Sequence, residues 1–156
     1  TGKTDVTNGE GEVAERSLQP GTGITQLALT AYYREALPSQ NWSWYAQAAA
    51  QLPLNTHDNY KPGNQFGVDL GYRYDMNDRL GLNLQLNYVF KDRDKGSEAE
   101  PEDSGGQTLA LAPGITYEFS PAVQVYAFVQ LPLYRYVNGV QLTANWSVAA
   151  GVSVQF

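Results

Sequence analysis

The sequence predicts an all-β fold, an antiparallel up-and-down transmembrane β-barrel, and three observations carry that reading. Apolar residues recur at every second position in segments of about ten to fourteen residues, the period of a strand. The connections between segments alternate between tight turns and long polar loops. The aromatic residues of the apolar faces gather at the segment ends, leaving Leu, Val and Ala in the middles.

Residues 1–23 hold Thr, Asn, Gly, Glu and Pro without a sustained apolar period, so they read as an extracellular loop or linker ahead of the strand region 24–156. From Thr25 to Glu35 the apolar set is Leu27, Leu29, Ala31 and Tyr33; from Trp42 to Leu52 it is Trp42, Trp44, Ala46, Ala48, Ala50 and Leu52. Near 66–75, Phe66, Val68, Leu70, Tyr72 and Tyr74 oppose Gly67, Asp69, Gly71, Arg73 and Asp75. The clearest segment runs from Leu80 to Lys91, where Leu80, Leu82, Leu84, Leu86, Tyr88 and Phe90 alternate with Gly81, Asn83, Gln85 and Asn87. Near 109–119, Leu109, Leu111, Ile115, Tyr117 and Phe119 oppose Thr108, Thr116 and Glu118. Between 123 and 134, Val123, Val125, Ala127, Val129, Leu131 and Leu133 oppose Gln124, Tyr126, Phe128, Gln130 and Tyr134. The last segment alternates from Trp146 to Phe156, giving about seven in all.

Tight turns are expected at Pro38–Asn41, Met76–Arg79 and Ser120–Ala122, and long loops at Asn55–Asn64 and Arg93–Gly106. Asn138-Gly139 carries the signature of a two-residue hairpin turn, with a longer excursion over Arg135–Asn145 as the alternative. Short turns on one rim and long loops on the other are the habit of outer-membrane barrels.

Composition narrows the partners. The 156 residues hold 10 Lys and Arg against 16 Asp and Glu, a net charge of -6, with no basic stripe interleaved with aromatics, so nucleic acid is not an expected partner. No run approaches the roughly 18 apolar residues of a membrane helix. A mean hydropathy of -0.40 is still compatible with a membrane barrel, whose strands turn every second residue to a polar interior. Cysteine is absent, so neither a disulfide framework nor a thiolate metal site is expected.

Alternation alone does not say whether the apolar face meets a core or lipid. Trp42, Trp44, Tyr72, Tyr74, Tyr117, Phe119 and Phe156 fall at the short-turn ends, and Tyr88, Phe90 and Trp146 at the long-loop ends. Two such girdles suit rings held at headgroup depth on a bacterial outer-membrane protein, in contact with lipid and lipopolysaccharide. A closing strand that ends on Phe156 resembles the signal read by the barrel-assembly machinery. Seven strands is odd, so closure is expected to need strands upstream of Thr1 or other subunits, as in a homo-oligomer.

On the polar face, Asp69, Arg73 and Glu118, with Arg34 nearer a rim, are candidates for a constriction selecting solutes by charge. The structural alternative is an ion-pair lattice bracing the wall. Gln85, Asn87 and Gln130 are expected to line the same path. Tyr45, Tyr126, Phe128 and Tyr134 are candidates for an aromatic inner track, or simply filling. Glu98, Glu100, Glu102 and Asp103 offer carboxylates to a divalent cation but lack EF-hand spacing, and a solvated loop is the plainer reading. His57 beside Asp58 is the one histidine-based pair, with no nucleophile marked beside it, so neither catalysis, metal nor cofactor is expected.

Leu18–Gly23 (LQPGTG), Glu102–Gly106 (EDSGG), Pro113-Gly114 and Tyr126–Thr143 (YAFVQLPLYRYVNGVQLT) together resemble the family of outer-membrane transporters of the meta-pathway of phenol degradation. The resemblance implies a barrel longer than this chain, an uptake role for small organic and aromatic compounds, and no catalytic residues. The function expected is therefore a passive channel for small organic solutes. The alternatives are a structural or oligomeric scaffold binding partners through external loops, and a soluble lipocalin-like binding barrel.

Overall fold

The computed structural model describes residues 2–3, 6–7, 9–12 and 20–155; Leu18 and Gln19 of the N-terminal motif and the terminal Phe156 lie outside them. Strands β1 (Gln26–Leu37), β2 (Trp42–Pro53), β3 (Gln65–Asp75), β4 (Leu80–Lys91), β5 (Gly106–Ser120), β6 (Val123–Val137) and β7 (Ser147–Val154) follow in chain order. Each pairs antiparallel with its sequence neighbour, forming one seven-stranded sheet that curls into a half-barrel. Among the described residues the outer edges of β1 and β7 have no strand partner. The helical turns among these residues are two short 3-10 pieces, Pro38–Gln40 and Pro101–Asp103, and no helix is long and apolar enough to cross a membrane.

The tight connections at 38–41, 76–79 and 121–122 share one rim, and the long ones at 54–64, 92–105 and 138–146 share the other. The 76–79 turn is held by Asn77, whose Oδ1 accepts the Arg79 and Leu80 amides at 2.9 Å each. Asn138-Gly139 does not make the two-residue hairpin turn. Gly139 has φ 56° but Asn138 is not at positive φ, and residues 138–146 form the longer excursion. The paired positive φ angles occur instead at Asp58 (47°) and Asn59 (55°), where His57 and Tyr60 exchange backbone hydrogen bonds of 3.0 and 2.9 Å.

Register keeps like faces together, as a side-chain period of two requires. Leu70 opposes Leu86, Leu82 opposes Ile115 and Val125 opposes Val152. On the other face Asp69 lies between Gln47 and Asn87, and Asn83 opposes Gly114. Burial is inverted relative to a water-soluble sheet. Leu84 is 46% exposed and Val152 64%, whereas Ser43 and Thr116 are buried. Side chains on the inside of a curled sheet crowd one another while those outside splay apart, so the polar face is the concave one and the apolar face the convex one.

A register shift on the β5–β6 pair corrects one expectation. Ala110 pairs with Pro132 but Leu109 with Tyr134, leaving Leu133 as the extra residue of a bulge. Opposed residues share a face, so the bulge turns Tyr134 and Tyr136 to the convex side and Arg135 to the concave side. Tyr134 therefore leaves the inner track and joins Phe66, Tyr88 and Phe90 near the long-loop rim.

Candidate functional site

The concave face divides into three zones. At mid-sheet, Asp69 is held by amides: Asn87 Nδ2 donates to Oδ1 at 2.7 Å and Gln47 Nε2 to Oδ2 at 3.4 Å. Asn83 Nδ2 donates to Thr116 Oγ1 at 2.8 Å. Asp69 is thus not the partner of Arg73.

The short-turn end carries the charges. Arg73 Nε donates to Asp75 Oδ1 at 2.6 Å, two residues along the same strand face. Both border a cleft of about 340 Å³ together with Arg34, Ser43, Asp78 and Glu118. A second recess of about 150 Å³ adjoins it, sharing Arg34, Ser43 and Arg73 and adding Tyr32, Tyr45 and Gln85. Arg34, Arg73 and Glu118 border one cleft, while Asp69 belongs to the amide cluster. The acids completing the cleft, Asp75 and Asp78, were not anticipated. Asp75 could be read from its place in phase with Arg73 at the end of β3, whereas Asp78 lies within the 76–79 turn, where no strand period marks it.

Aromatic rings on this face lie over glycines of the neighbouring strand. Tyr45 covers Gly71, Phe128 covers Gly114 and Tyr126 covers Gly151, so that a Cβ at any of the three would collide with a ring. Each pair is directly opposed across its ladder. Glycine is required here for close approach. Tyr126 and Phe128 contact each other with centroids 6.1 Å apart, and Tyr45 contacts Tyr32 at 5.6 Å. Gln130, towards the long-loop end, accepts from Ser147 Oγ at 3.2 Å and borders a recess of about 240 Å³ with Arg135 and Thr143.

Three loops form a tied layer above that end. Lys61 and Lys95 exchange backbone hydrogen bonds of 2.8 Å, and the Asn138 amide and Gln141 Nε2 both donate to Gly105 O. Asp103 Oδ1 accepts the Val140 amide at 2.8 Å, so this acid latches a loop. Among the described residues no group of three His, Asp or Glu converges as a metal site. His57 Nε2 lies 3.1 Å from Asp58 Oδ2 within the tight turn, its ring against Gly23.

Asp94 ties the layer together. Its Oδ1 accepts the Gly63 amide and pairs with Lys91 Nζ, both at 2.9 Å, while Oδ2 accepts from Tyr60 at 2.9 Å. Burial by itself raises this carboxyl, but the Gly63 amide, Lys91 and Tyr60 together hold it below the usual Asp value of 3.8. A depressed carboxylate stabilises its contacts above the unfolded value and loses them as pH falls through the folded one. Gly63 amide exchange, corrected for intrinsic rates, should therefore stay protected at neutral pH and open only below pH 3.8. Asp94→Asn should speed it about tenfold at neutral pH, the ratio for roughly 1.5 kcal/mol of charge-assisted bonding. Unaltered exchange in the variant would remove Asp94 as the tie.

No curated protein and no solved structure matches this chain. A family model does, over residues 11–155, which takes in every strand of the sheet and the three tied loops. By that match the chain belongs to the family described as "Putative MetA-pathway of phenol degradation".

Proposed function

We propose that the chain builds part of the wall of a bacterial outer-membrane β-barrel through which small organic solutes, aromatic ones among them, pass passively. The observation that carries this is the convex apolar face. A contiguous exposed patch of more than a few hundred Å² on a protein surface marks a membrane or partner contact. Here Val68, Leu70, Leu82, Leu84 and Ile115 form one such band across β3, β4 and β5, each 45–50% exposed. Aromatics border it: Trp42 stacks on Tyr72 at 5.8 Å near the short-turn rim, and Phe66 opposes Phe90 near the other. Glu35, on the same convex face, accepts from Trp44 Nε1 at 3.2 Å close to the short-turn rim. A carboxylate and an indole both suit headgroup depth.

Length agrees with this reading. A strand of 12 residues, such as β4, extends roughly 40 Å at about 3.3 Å per residue and crosses a hydrocarbon layer of about 30 Å when tilted. The polar concave face then lines a wet lumen, its clefts open to solute. In this reading the protein performs no covalent chemistry and needs no cofactor. Lipid and lipopolysaccharide cover the band, the assembly machinery reads the closing strand, and further strands or a second subunit complete the ring. A lipocalin-like binder would need its apolar face inside, opposite to the exposed band.

The full-length protein in planar bilayers should give stepwise conductance in potassium chloride. A folded, inserted but silent protein would overturn the reading. The interlocked loops 54–64, 92–105 and 138–146 favour a second role, a rigid external surface for a partner. Deleting Glu98–Asp103 and losing partner capture at unchanged conductance would favour it.

A further inference from the structure

We propose that the recess between β1, β2 and β3 is a subsite for aromatic carboxylates, with the ring against Tyr32 and Tyr45 and the carboxylate on Arg34 and Arg73. This rests on the passage reading for its route but on the recess for its chemistry.

The recess of about 150 Å³ is bordered by Arg34 and Arg73 and by no acidic residue, the Arg73 guanidinium lying over Gly81 on the side of Asp75. Arg73 commits its Nε to Asp75 at 2.6 Å, and Arg34 has no carboxylate partner among the described residues. A planar guanidinium presents paired N–H donors that match the two oxygens of a carboxylate, and such bonds are about twice as strong as neutral ones. Ser43, buried and directly opposite Arg73 across the β2–β3 ladder, adds a hydroxyl to the same recess.

The apolar half is equally built. Tyr32 and Tyr45 have centroids 5.6 Å apart at 32°, presenting a shallow wall. Tyr45 is pinned because its ring lies on Gly71, so the wall exists before a ligand arrives. A preformed surface costs less ordering entropy on binding. Asp75, Asp78 and Glu118 border the adjoining cleft rather than this recess. Their charge repels an anion from the rim side and disfavours a dianion such as phosphate, leaving the monoanionic acid seated at the arginines. A neutral phenol or aromatic alcohol gains the wall but not the guanidiniums; acetate gains the guanidiniums but not the wall.

The test uses the full-length protein. In planar bilayers carrying a potassium chloride current, benzoate should block at a concentration about tenfold below acetate or benzyl alcohol. Arg34→Gln and Tyr32→Leu should each weaken that block about tenfold, whereas Gln51→Ala, at the far end of the concave face, should not. An open channel blocked equally by benzoate and acetate, or a benzoate block indifferent to Arg34→Gln, overturns the subsite and leaves the passage reading standing. A channel that never conducts overturns the passage reading instead. The subsite is then decided by equilibrium dialysis of labelled benzoate against the detergent-solubilised protein: retention that Arg34→Gln reduces tenfold supports it, and equal retention by both proteins overturns it.

Discussion

Leu84→Arg should cost the folded protein about 2–4 kcal/mol in lipid vesicles, the penalty for a cation facing hydrocarbon at mid-depth of a barrel. Leu84 sits near the centre of β4 on the convex face, opposite Tyr72 and Pro113, with 46% of its surface open. In water an exposed Leu→Arg change is nearly neutral. The whole penalty therefore arises from what touches the convex face. Gln85→Glu, one position along, adds a charge to the concave face beside Arg34 and Arg73, and should cost less than about 1 kcal/mol. Urea titrations in vesicles, read by tryptophan emission, measure both. Equal small effects would mean that Leu84 faces water, and a larger loss at Gln85 would mean that the faces are reversed.

The strands were legible because the alternation is strict and each register places like residues opposite one another. Leu80–Lys91 is read from sequence with the same bounds that β4 has in the structure. Thr25–Glu35 lies one to two residues from β1, since the ends Gln26 and Leu37 are fixed by pairing with Pro53 and Trp42 rather than by their own chemistry. Tyr134 was misassigned for a different reason. A strict period of two carried from Val123 to Tyr134 has no means of registering a bulge at Leu133, which depends on the partner strand. Pairing of charges was likewise illegible. Arg73 is two residues from Asp75 and four from Asp69, both in phase, and the amides of Gln47 and Asn87 decide which acid it takes. The tied loops were invisible because Asp94 and Asn138 act through backbone groups of other loops, and composition marks them only as polar.

Gly71→Ala should cost about 1–3 kcal/mol, the usual range for forcing atoms into a filled space. An added methyl at Gly71 would meet the Tyr45 ring directly, and Tyr45 is hemmed in by Tyr32 on the other side. Gly67, four residues earlier on the same face of β3, provides the contrast. A Cβ there meets the Tyr88 carbonyl oxygen at 3.7 Å, an ordinary contact, so Gly67→Ala should be neutral or stabilising through the lower entropy of the unfolded chain. The two substitutions share a strand, a face and a chemistry, and differ in whether a ring occupies the space. Combining Gly71→Ala with Tyr45→Ala should then recover a large part of the loss, a coupling of about 0.5–3 kcal/mol in a double-mutant cycle. Additive losses would mean that Tyr45 does not rest on Gly71 in the folded protein. The aromatic wall beside Arg34 would then lose its support, because a ring free to leave the sheet is not a preformed surface.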